Sequence, residues 1–104
     1  MATIRAITTL LGNNKKYLNR DGYIQFDKSV RNPDVSAPYQ WVDGLQLNER
    51  SGAVFVWLST ENSKDIRPVP LKNIERNEIL LGDILKRLIE TIAKLDIVSV
   101  FNEK

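Results

Sequence analysis

Two carboxylate stretches are the first residues in this 104-residue chain whose types suggest chemistry. Asp34 in Asn32-Pro33-Asp34 and Asp65 in Asp65-Ile66-Arg67 echo the paired acids of metal-dependent nucleases. The acidic-x-Lys element that completes such a centre is missing, and two carboxylates without a convergent base or ligand spacing do not make a site. The chain has no histidine and no cysteine. Their absence removes Cys/His zinc sites, Ser-His-Asp and Cys-His hydrolysis, and histidine acid–base chemistry near neutral pH. None of the five glycines belongs to a phosphate-cradling loop. The expectation is a protein that is not an enzyme and uses neither metal nor cofactor.

Two other groups of side chains suit recognition. Lys15, Lys16, Tyr17, Arg20 and Tyr23 interleave basic and aromatic residues, a pattern that contacts phosphates while a ring stacks on a base. Residues 1–31 hold six basic and two acidic side chains, against nine and eleven in residues 32–104, so the first third is a candidate footprint for an anionic partner. No RNA-recognition, helix-turn-helix or zinc-finger signature accompanies it. The second group is aromatic: Tyr39, Trp41, Phe55 and Trp57. In the stretch Ala-Val-Phe-Val-Trp-Leu, residues 53–58, a strand sends Val54, Val56 and Leu58 to one face and Phe55 and Trp57 to the other. Both faces are apolar, so the strand is either covered on both sides or presents an aromatic surface to something else.

These residues need elements to position them. Apolar and charged fractions of 42% and 27% are those of a globular protein, and the length suits one domain over residues 1–104. Beta-branched density in Thr3–Leu11 favours a strand with Ile4, Ala6, Thr8 and Leu10 on one side, with a short helix ending at Gly12 as the alternative. Asp21-Gly22 suits a reversal into a strand over 22–28, and Arg31–Tyr39, with two prolines, reads as the longest loop. Residues 41–58 form a hairpin around Glu49-Arg50-Ser51-Gly52. Glu61–Asp65 is a polar break, and Ile66–Lys72, with Pro68 and Pro70, fits an edge segment.

Asn77 is a credible N-cap for a helix carrying Leu81, Ile84, Leu85, Leu88, Ile89, Ile92 and Leu95 on one side. Asp83, Lys86, Arg87, Glu90 and Lys94 occupy the other side, with Asp83–Arg87 and Glu90–Lys94 as four-residue ion pairs. Gly82 marks a close approach or a shifted start. Asp96–Asn102 alternates and reads as a last short strand. The expected architecture is α+β: a mostly antiparallel sheet of four or five strands with one long C-terminal amphipathic helix packed on one face.

One helix stripe covers one sheet face. If that face is Val54, Val56 and Leu58, the opposite face needs the chain's own loops and C-terminal strand, the commonest outcome for aromatics, or a second copy or partner. The functional expectation is a small accessory or inhibitory interaction module binding a protein partner, or itself as a homodimer, through Tyr39, Trp41, Phe55 and Trp57. Nucleic-acid binding through the N-terminal basic segment is the alternative. No stretch approaches the roughly 20 apolar residues of a membrane span. Basic residues follow the opening apolar run instead of preceding it, and the expected compartment is the cytoplasm.

Overall fold

The computed structural model describes residues 2–60 and 65–102. A first helix, α1 (Ala2–Asn13), leads through a short 3-10 turn at Lys15–Tyr17 into four strands, β1 (Tyr23–Arg31), β2 (Trp41–Leu47), β3 (Val54–Ser59) and β4 (Ile66–Pro70). A second 3-10 turn at Leu71–Ile74 precedes the long helix α2 (Glu78–Asn102). The strands pair antiparallel in chain order β1-β2-β3-β4, a meander with β1 and β4 at its edges. This is the expected α+β class, with four strands and the C-terminal helix on one face.

The core forms where the helices meet one sheet face. Ile24, Phe26, Val30, Val42, Leu45, Leu47, Val54, Val56 and Leu58 are buried there from the sheet, Ile7 and Leu11 from α1, and Leu80, Leu81, Ile84 and Leu88 from α2. Asn77 caps α2 as expected, its Oδ1 accepting the Leu80 N–H at 3.1 Å. Pro68 and Pro70 lie in edge strand β4, where a missing N–H costs no ladder bond on the solvent side.

Two expected strands are helices instead. Thr3–Leu11 lies in α1 because helical spacing brings Ile4, Ile7, Leu10 and Leu11 to the core side together, whereas alternation would send Ile4 and Leu10 to the face opposite Ile7 and Leu11. Tertiary burial outweighs the beta-branched preference there. Asp96–Asn102 continues α2, and no glycine or proline follows Gly82 to stop the helix. Gly82 has no atom within 4 Å of an added Cβ, so no close approach explains it.

The ion pairs also differ from the expected ones. Arg87 bonds Glu90 at 3.1 Å, and Lys94 reaches across to Asp27 of β1 at 2.6 Å. Of the polar break at 61–65, residues 61–64 lie outside the described residues.

Candidate functional site

The sheet face opposite the helices is built in three cross-strand rows. The register places Tyr23, Gln46, Phe55 and Pro70 in one row, Gln25, Gly44, Trp57 and Pro68 in the next, and Arg31, Trp41, Ser59 and Ile66 in the third. Trp41, Phe55 and Trp57 are half-buried, and none of the three packs against the hydrophobic core that the helices close. Trp57 is flanked by Tyr23 and Gln46, and Trp41 by Arg31, all on the same sheet surface.

The centre of the face is ordered by its own contacts. Gly44 lies under the Tyr23 ring: a Cβ there would meet the Tyr23 hydroxyl and ring and the backbone oxygen of Ile24. The absence of a side chain at position 44 lets Tyr23 lie across the strand and meet Trp57 edge-on, with ring centroids 5.8 Å apart and planes at 77°. The Trp57 indole N–H donates to Gln46 Oε1 at 3.0 Å, and Gln46 Nε2 donates to the Asp21 carbonyl at 3.0 Å. Gly22, at φ 78°, holds the turn that places Asp21 there. A tyrosine, a glutamine and a tryptophan from three strands are thereby held in place by one another. Burial, then the nearby Asp43 carboxylate, raises the Tyr23 hydroxyl above the ordinary tyrosine pKa.

Two depressions adjoin this centre. A depression of about 590 Å³ is lined by Asn19, Asp21, Tyr23, Gln46, Trp57 and Ile66. Phe55 borders a second of about 580 Å³, where Lys15, Arg20 and Arg50 mix with Asp21 and Glu49. At the opposite end the Arg31 guanidinium lies 5.7 Å from the Trp41 ring centroid, within cation–π range. The Ser59 hydroxyl between Trp41 and Ile66 is buried without a hydrogen-bond partner among the described residues.

Of the four aromatics singled out from the sequence, Trp41, Phe55 and Trp57 share this face. Tyr39 stands apart: it packs against the hydrophobic core, with Arg67 5.9 Å from its ring centroid. The basic set is divided as well. Tyr17 donates to Asp96 of α2 at 2.6 Å, a bond that raises its pKa, and Lys16 lies 5.1 Å over the Tyr17 ring. Lys15 and Arg20 line the depression beside Phe55, while Tyr23 belongs to the aromatic centre.

Sequence reasoning missed Gly44 and Gln46. The cross-strand position of Gly44 beside a tyrosine becomes visible only once β1 and β2 are in register. Asp34, half of the carboxylate pair, accepts from the Ser36 N–H and hydroxyl in a local turn. Among the described residues no three His, Cys, Asp or Glu side chains gather in a metal-binding group, and no helix is long and apolar enough to cross a membrane. Comparison with protein-family models, with curated proteins and with solved structures returns no match for this chain.

Proposed function

We propose that this chain is a non-enzymatic interaction module that binds a protein partner through the sheet face carrying Trp41, Phe55, Trp57 and Tyr23. The observation that supports this reading is an aromatic centre with no contact to the hydrophobic core, already ordered by Gly44 and Gln46. Trp and Tyr anchor protein interfaces because they remove large areas from water at little conformational cost. The mixed charges of Arg20, Arg50, Asp21 and Glu49 beside Phe55 match the polar edge of protein interfaces. The lack of histidine and cysteine favours binding over catalysis.

The test is partner capture on the immobilised chain, comparing the native sequence, Trp57→Ala, and Lys15→Ala combined with Lys16→Ala, with thermal unfolding of each. The reading expects Trp57→Ala to stay folded and lose the partner, the lysine variant to keep it, and moderate salt to leave capture intact. Capture by a folded Trp57→Ala protein would contradict it. Capture of nucleic acid that falls steeply with salt and with the lysine substitutions would support the basic-segment alternative.

A further inference from the structure

Helix α2 carries a second apolar stripe on the side facing away from the core. Ile79, Gly82, Lys86, Ile89, Ala93 and Ile97 repeat at spacings of three and four, and every one of them is exposed. The three isoleucines are 67%, 52% and 56% accessible, although a solvent-facing stripe has no packing reason to hold them. Ile89 and Ala93 also wall a groove of about 440 Å³ between α2 and the end of α1.

The order of residues along the stripe identifies its occupant. Ile79 and Ile97 lie nine residues on either side of Leu88, and Lys86 and Glu90 lie two residues on either side of it. A two-fold axis opposite Leu88 therefore sets Ile79 against Ile97 of a second copy, Lys86 against Glu90, whose carboxylate is shared with Arg87 of its own helix, and the two Ile89 side chains on either side of the centre. Parallel pairing would instead oppose Lys86 to Lys86 in the middle of an apolar seam, a like-charge contact that disfavours that register.

We infer that α2 is the self-association surface of this protein, forming an antiparallel, two-fold helix pair with a second copy of the chain. From Ile79 to Ile97 the seam is about 27 Å long at 1.5 Å per residue. So narrow a seam buries less than the roughly 1,200 Å² of a standard interface, so the dimer forms reversibly with concentration. The helices meet at its centre and both aromatic sheet faces point outward, which makes the dimer bivalent. The self-association rests on α2 alone and stands or falls independently of the sheet-face reading.

The test is mass by sedimentation equilibrium over a wide concentration range, with charge reversals at the two partner positions. The wild type should show a monomer–dimer equilibrium. Lys86→Glu alone and Glu90→Lys alone should each weaken it about tenfold or more by opposing like charges, and the double reversal should restore it. Because the chain has no cysteine, Ile79→Cys mixed with Ile97→Cys should form a disulfide under mild oxidation, while Ile79→Cys alone should not. A wild type that stays monomeric throughout, charge reversals without effect, or efficient crosslinking of Ile79→Cys to itself would each overturn the inference.

Discussion

Val56 and Trp57 are neighbours on one strand, yet they belong to surfaces with different physics. Val56 is fully buried between the sheet and the helices, and Trp57 is half-buried on a face that neither helix reaches. The difference does not come from hydrophobicity, since both positions are apolar. It comes from topology: α1 and α2 both lie on the Val56 side, so one face is a core in a two-layer fold. The other face is organised laterally, ring against ring and amide against indole. Packing through a second layer supplies stability, and lateral packing supplies shape.

If that comparison holds, substitutions on the two faces should separate in size. The largest loss is expected from Leu45→Ala or Ile84→Ala, each removing a fully buried side chain at about 2–5 kcal/mol, read as a lower denaturant midpoint. Gly44→Ala comes next, at about 1–3 kcal/mol for forcing a methyl against a packed ring and backbone. It should also alter Trp57 fluorescence, because the Tyr23 ring must move. Trp57→Ala should cost about 1–2 kcal/mol, an edge-on aromatic contact and part of a ring's burial. A loss from Trp57→Ala as large as that from Leu45→Ala would erase the distinction between the faces.

Smaller effects sharpen the helix side. Asn77→Ala should cost about 1 kcal/mol through the lost cap. The Lys94 ammonium, with help from the Thr91 hydroxyl, holds Asp27 below the ordinary carboxylate range. A depressed folded-state pKa gives stabilisation that is fully present above the unfolded value and is lost as pH falls through the folded one. Acid titration of stability should therefore be shallower in Asp27→Asn. The smallest effect is expected here, because Lys94 is largely exposed.

The hairpin, the edge prolines, the Asn77 cap and the inward face of β3 were legible in the sequence because each rests on local pattern. The two helical segments read as strands show where local pattern stops. Thr3–Leu11 suits either state, and only the partner offered by α2 and the sheet selects the one that brings Ile4 and Leu10 to the same side as Ile7 and Leu11. Asp96–Asn102 alternates, but a strand there needed a turn signal after Leu95 that the sequence lacks. For the candidate site, Phe55 and Trp57 followed from strand alternation, and Trp41 was singled out as a large aromatic of the same hairpin. The roles of Tyr23, Gly44 and Gln46 did not, because they depend on the register between strands distant in sequence.

The measurement that bears most directly on the open face is iodide quenching of Trp57 fluorescence in a Trp41→Phe variant, where Trp57 is the sole tryptophan, with mass determined on the same sample. The account predicts emission to the red of a core tryptophan and access to iodide in the monomer, with the same access in the helix-paired dimer. Blue, shielded emission from a monomer would show that the chain covers this face itself. Shielding that appears only on dimerisation would place the self-contact on the sheet and not on α2.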